Sequence, residues 1–184
     1  MAKKPNYEDA VIISEKVSHG ILVEPKHIKK IKLDGDLLEC SFHLIGVGKI
    51  GFEGENIVHS DLKNALKELA PHLAVICDLK EDEFVEKKFH KTDLTHFDHI
   101  IITGVSIGAD GFVITGQKII EDKVLNLTTP FQKNEDYKHI DDFGETVEKL
   151  LYECKMYISG DKFYLKQGSL EFPNDGEEGD GSND

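Results

Sequence analysis

Apolar residues recur along this chain in two periods, and the switches between them mark out its elements. Short extended runs come first, at Val11–Ile13, Gly20–Val23 and Ile28–Leu33. Asp34-Gly35 then reads as a hairpin turn, because glycine accepts the positive φ that a two-residue turn demands. The return strand, Asp36 to Ile45, places Leu38, Cys40, Phe42 and Leu44 on one face, with Glu39, Ser41 and His43 on the other. That is the period-two signature of a half-buried antiparallel strand. Gly46 to Asn56 reads as a glycine-rich loop.

The period then becomes helical. Ser60 is the expected N-cap, Asp61 complements the helix dipole, and Leu62, Ala65, Leu66 and Leu69 share one face until Pro71 stops the helix. A compact strand is expected at Leu73–Cys77, followed by a short charged helix or a loop over Glu81–Lys91. Ile100–Ile107, Phe112–Ile119 and Val124–Thr128 predict a three-stranded meander, with turns at Ala109-Asp110-Gly111 and Glu121-Asp122-Lys123. A second helix is predicted from Glu145 to about Tyr157, with Val147, Leu150, Leu151, Cys154 and Ile158 on its apolar face and Asp142 with Glu145 as a capping box. Gly160-Asp161 leads into a closing strand at Lys162–Lys166. Strands joined by hairpins, with two main helices between them, predict an α+β domain: an antiparallel sheet of hairpin plus meander, covered by helices on one face.

The length of 184 residues suits one domain. A frayed N-terminus over 1–10, a body over 11–170 and a disordered acidic tail over 171–184 are expected, since Pro173 to Asp184 contains no apolar residue. The formal charge is −13, and every one of the 22 basic residues is lysine. Without arginine there is no planar fork for bidentate guanine readout and no arginine finger. No apolar run approaches the roughly 18 residues of a membrane span. Met-Ala-Lys-Lys-Pro leads into no signal-peptide hydrophobic region, so a cytoplasmic protein that avoids membranes is expected. Cys40, Cys77 and Cys154 are odd in number and far apart, which fits buried reduced thiols better than a disulfide framework.

Few motifs carry chemistry. Gly46-Val-Gly48-Lys-Ile-Gly51 matches G-x-G-x-x-G, but Glu53 and Glu55 intervene before the helix at Ser60, so no amide cradle for a pyrophosphate is expected. His90, Asp93, His96, Asp98 and His99 form the densest ligand-capable cluster. Their spacing follows no zinc or iron signature, and a polar connection is expected rather than a metal site. No nucleophile elbow and no H-E-x-x-H occurs. A non-enzymatic protein with no cofactor is the expectation; an enzyme built on the histidine cluster is the least favoured reading.

Lys26-His27-Ile28-Lys29-Lys30-Ile31-Lys32 is the one basic strand in an acidic body. Lys30 and Lys32 fall on one face and Lys29 on the other. Lys26, Lys29, Lys30 and Lys32 are therefore candidate phosphate contacts, with Phe42 of the paired strand as a candidate stacking residue. The same lysines also suit a solvated edge strand whose charges deter edge-to-edge pairing.

No lysine follows Lys166, while Glu171, Asp175, Glu177, Glu178, Asp180 and Asp184 do. A compact β-rich body followed by such a tail resembles phage and bacterial single-stranded-DNA-binding proteins, although this tail ends Gly-Ser-Asn-Asp and not in an apolar residue. The resemblance implies that the body binds single-stranded DNA and that Asp175, Glu177, Glu178, Asp180 and Asp184 recruit replication proteins. Asn64–His72, Gly104–Gly108 with Val113–Gln117, and Val124–Phe131 also resemble a family of small uncharacterised tailed-bacteriophage proteins, which implies a product of the host-cell cytoplasm. Together these suggest an accessory protein of phage or bacterial DNA replication or recombination. The alternative is an acidic interaction module (inhibitor, DNA mimic or assembly factor) whose carboxylates meet a basic protein.

Overall fold

The computed structural model describes residues 24–44 and 46–162, and their architecture is the α+β one that the hydrophobic pattern predicts. One antiparallel sheet is built from β1 (Ile28–Asp34), β2 (Leu37–Leu44), β3 (Gly48–Ile57), β4 (Ile100–Ile107), β5 (Gly111–Ile120), β6 (Lys123–Thr128) and the short β7 (Gln132–Lys133). The strand order is β3-β2-β1-β4-β5-β6, with β7 pairing on β5 beyond β6. Helices α1 (Ser60–Lys67), α2 (Ala70–Ile76) and α3 (Ile140–Ile158) join it to make a two-layer domain.

The inner face of the sheet supplies Ile31, Leu38, Cys40, Phe42, Ile102, Val105, Phe112 and Ile114 to a single core. From the helices come Leu62, Leu66, Leu69, Leu73, Val147, Leu150 and Cys154. Phe112 stacks on Phe143 of α3 with ring centroids 3.6 Å apart. Cys40 and Cys154 are buried, Cys77 is half-buried, and all three are free thiols. The Cys40 thiol beside it and burial push the Cys154 thiol well above its usual range, which keeps it protonated and unreactive.

The hairpin β1–β2 and the meander β4–β5–β6 lie where the sequence places them, and Gly35 adopts a φ of +61° in the first turn. Several local expectations need correction. The segment read as a glycine-rich loop is mostly strand β3, its hairpin closed by Val47 N–H donating to the Leu44 carbonyl. Its period-two signal is short, Ile50 and Phe52 only, because the next inward position is Gly54. Tyr157 occupies the space a Cβ would need there, and its hydroxyl donates to the Asn56 carbonyl.

The run Leu73–Cys77 belongs to a helix, α2, and not to a strand. Pro71 does not stop the preceding helix for good; it stands in the first turn of the next, where its missing N–H costs nothing. Leu69 and Leu73, four apart, both point into the core, as helical spacing requires. The cap of α1 is His59, whose Nδ1 accepts from Leu62 N–H at 3.2 Å, so Ser60 is the first helical residue. Helix α3 opens at Ile140, five residues before its predicted start, and Asp142 accepts from the backbone of Phe89 in place of forming a capping box.

Between α2 and β4 the charged connection forms three 3-10 turns, Lys80–Phe84, Phe89–Lys91 and Leu94–Phe97. Val11–Ile13, Gly20–Val23, the strand over Lys162–Lys166 and the acidic tail extend beyond the described residues.

The β5–β6 turn carries a local strain. Glu121 has a φ of +54°, where an L side chain crowds its own backbone. Glu121→Gly is expected to raise stability by about 1 kcal/mol, read as an upward shift in the denaturation midpoint.

Candidate nucleic-acid interface

The basic strand is not at an edge. β1 lies in the middle of the sheet, paired with β2 on one side and β4 on the other. The reading of its lysines as edge protection therefore fails, because neither of its flanks is open. Their placement comes from a bulge: the register shifts between Ile28 and Lys30, so Lys29 is an extra residue opposite Phe42. Ile28 and Ile31 both remain buried despite their odd spacing, while Lys29 and Lys30 are exposed and Lys32 is half-exposed. Strict alternation had put Lys29 and Lys30 on opposite faces, with Lys29 beside the apolar Ile31. The bulge lets all three lysines avoid the core.

The outer face can be read off the registers. Lys30 lies across from Ser41, which lies across from Gly51; on its other side Lys30 faces Ser106. Lys32 lies between Glu39 and Gly104, with Glu53 beyond Glu39. His43 pairs with Lys49. The result is a shallow trough of about 260 Å³ with Lys30, Lys32 and Lys49 on its rim and Ser41 and Gly51 in its floor. Glu39 and Glu53 stand at one end.

The lysines differ in availability. Lys32 Nζ is 3.1 Å from Glu39 and 3.8 Å from Asp34, and Lys26 is paired with Glu24 at 2.5 Å. Glu39 hydrogen-bonds Lys32 and holds its ammonium above the ordinary lysine range, so it is fully charged at neutral pH. Lys29, Lys30 and Lys49 make no ion pair among the described residues. Phe42, the expected stacking residue, is 4% exposed and packed in the core. No ring face is available for a base there. Lys49 was missed because its segment read as loop.

The histidine cluster does not converge. His96 stacks on Phe84, His99 Nε2 meets Glu81 at 2.6 Å, Asp98 pairs with Lys67, and Asp93 caps Thr95. His59, Asp61 and Glu153, which no sequence motif announced, place their ligand-type atoms within 4.8 Å of one another. Two features make this a poor metal centre. His59 Nδ1 accepts the Leu62 amide, so in the neutral ring the proton is on Nε2, the atom facing Glu153. Lys162 already supplies a cation, its ammonium 3.0 Å from both Asp61 and Glu153.

A groove of about 450 Å³ runs beside this cluster between α1 and α3, lined by Asp61, Asn64, Glu68, Lys149, Tyr152 and Glu153. Comparison of the chain with protein-family models, curated proteins and solved structures returned no match. No helix among the described residues is long and apolar enough to cross a membrane.

Proposed function

We propose that this protein is a non-enzymatic binder of single-stranded DNA, an accessory factor of phage or bacterial replication or recombination. The observation that carries the reading is the lysine trough: Lys30, Lys32 and Lys49 on the rim of a floor of Ser41 and Gly51, with the exposed Lys29 beside Lys30 in the chain, and Lys29, Lys30 and Lys49 without carboxylate partners among the described residues. Small floor residues let a phosphate approach the sheet closely, and the Ser41 hydroxyl can donate to its oxygens. Lysine ammonium groups read backbone charge and not base edges, so sequence preference is weak. With Phe42 buried, the contact is electrostatic without base stacking on that ring, which favours strong salt dependence over high affinity. In this reading the tail carboxylates Asp175 to Asp184 recruit replication proteins.

The test is a fluorescence titration of oligo-dT with the intact chain at two salt concentrations. Lys29→Ala, Lys30→Ala and Lys49→Ala combined is expected to weaken binding at least about tenfold at low salt. It should also flatten the slope of log affinity against log salt by about 2, since each lost single-strand phosphate contact removes about 0.7. A parent chain that does not bind at low salt sinks the proposal.

A second reading rests on the α1–α3 groove. Its exposed Tyr152 is an anchor for a protein segment whose basic side chains would replace Lys162 on Asp61 and Glu153 and Lys149 on Glu68. Under that reading the same lysine substitutions leave partner binding intact, and Tyr152→Ala abolishes it.

A further inference from the structure

The two long edges of the sheet are unequally protected. Edge β3 carries Lys49, Glu53 and Glu55, is interrupted by glycines, and has a register irregularity against β2 between Leu37 and Glu39. Charges and irregularities of this kind discourage a second strand from adding. Edge β6 has none of them apart from Lys123 at its start. It pairs with β5 in unbroken register from Ile120↔Lys123 to Thr115↔Thr128. Val124 is 58% exposed and Leu125 50%, one on each face of the sheet. Ile119, opposite Val124, and Ile120 at the end of β5 are exposed as well.

Parity decides which backbone groups point out. Thr129 N–H donates to the Ile114 carbonyl, so the odd-numbered residues of this strand turn their amides toward β5. Val124, Asn126 and Thr128 therefore direct N–H and C=O away from the sheet, and among the described residues no strand meets them. Residues directly opposite across an antiparallel pair share a face. A two-fold axis through Asn126 satisfies both conditions at once. It sets Asn126 against Asn126 of the partner subunit, Val124 against Thr128 of the partner subunit, and Leu125 against Leu127 of the partner subunit. Lys123 then faces Thr129 of the partner subunit, so no like charges oppose each other despite the chain's strongly negative total.

We infer that β6 is a dimerisation edge, and that its partner is a second copy of this chain paired antiparallel about Asn126. A two-fold perpendicular to the sheet leaves both lysine troughs on the same side of one continuous sheet. The dimer stands on the edge geometry and does not depend on what the troughs bind.

The test is sedimentation velocity of the full chain over a concentration series, with two variants. Asn126→Pro removes one outward N–H and no β5–β6 backbone bond, losing between these strands only the exposed side-chain hydrogen bond that Gln117 donates to Asn126, and proline is tolerated where an edge amide faces out. It should weaken dimerisation at least about tenfold while the thermal midpoint stays close to the parent's. Asn126→Cys places two sulfurs across the axis, where opposed Cα atoms about 5.5 Å apart suit a disulfide. It should form a covalent dimer with oxidised glutathione as electron acceptor, whereas Val47→Cys, on the distant β2–β3 turn, should not. A parent chain that stays monomeric at 100-micromolar order concentrations overturns the inference. So does a dimer indifferent to Asn126→Pro that gives no cross-link with Asn126→Cys. A monomer whose Val124, Asn126 and Thr128 amides resist hydrogen exchange also overturns it, because the edge is then paired within one chain.

Discussion

Replacing Glu81 by alanine is expected to lower stability by about 3 kcal/mol, one of the two largest effects anticipated for a single change. Glu81 lies in the 3-10 turn after α2, with its side chain 11% exposed, and receives Lys118 of β5 at 2.8 Å and His99 at 2.6 Å. Lys118 is itself only 15% exposed. Burial works to raise the Glu81 carboxyl, but the hydrogen bonds from Lys118 and His99 override it and hold it at about 2. The triad clamps the long connection between α2 and β4 onto the sheet. Alanine leaves a nearly buried ammonium with no counter-charge, and that unpaired group is the source of the penalty. Urea denaturation should record the loss. Adding Lys118→Met to Glu81→Ala should recover part of it, because the second change removes the stranded charge. A loss below about 1 kcal/mol for Glu81→Ala would mean the triad behaves as an ordinary surface pair.

Acidification is expected to destabilise the protein steeply, through His72. This residue is fully buried, stacked on Phe89 at 4.1 Å and edge-on to Phe143, with Nδ1 2.9 Å from the Tyr137 hydroxyl. Its Nε2 has no hydrogen-bond partner among the described residues. Burial, aided by nearby His139, pulls the imidazole down from 6.5 to about 3. The unfolded chain takes up a proton at His72 near pH 6.5, and the folded chain does not until about pH 3. Stability from this group is thus complete above pH 6.5 and is lost as pH falls through that window. The slope is about 1.4 kcal/mol per pH unit, or roughly 3 kcal/mol between pH 6.5 and 4.5. Glu81 adds to the loss below pH 4.5: its depressed value means that the unfolded chain protonates there first. His72→Gln keeps a polar group near Tyr137 but does not titrate. Its denaturation midpoint should therefore fall less between pH 6.5 and 4.5 than the parent's, and equal slopes would refute this assignment.

Much of the scaffold was legible in the residues alone, for local reasons. Asp34-Gly35 and the alternation from Leu38 to Leu44 predicted the first hairpin. Ile100–Ile107, Phe112–Ile119 and Val124–Thr128 predicted the meander to within a residue or two. Leu62, Ala65, Leu66 and Leu69 predicted α1. In each case turn chemistry or periodicity within about ten residues carries the information, and tertiary packing did not override it.

The failures share a cause that no local pattern contains. Gly54 breaks the alternation of β3 because Tyr157, far along the chain, fills the space of its side chain. A run of mixed β-branched and small residues at Leu73–Cys77 becomes helix because Leu69 and Leu73 find the core together. The candidate site shows the same division. Composition and spacing singled out Lys26, Lys29, Lys30 and Lys32 as the basic strand, and Phe42 as its aromatic neighbour. They do not state that a bulge at Lys29 would turn the lysines away from the core, nor that the strand lies between β2 and β4. They do not reveal that Phe42 faces the core or that Lys49 joins the trough from β3. By itself, then, the sequence determined the α+β class, the strand pairs joined by tight turns and the identity of the basic segment, because these depend on neighbours in the chain. Tertiary structure alone decided which strands became edges, which lysines kept their charge unpaired and which face stayed open, because these depend on contacts between residues tens of positions apart.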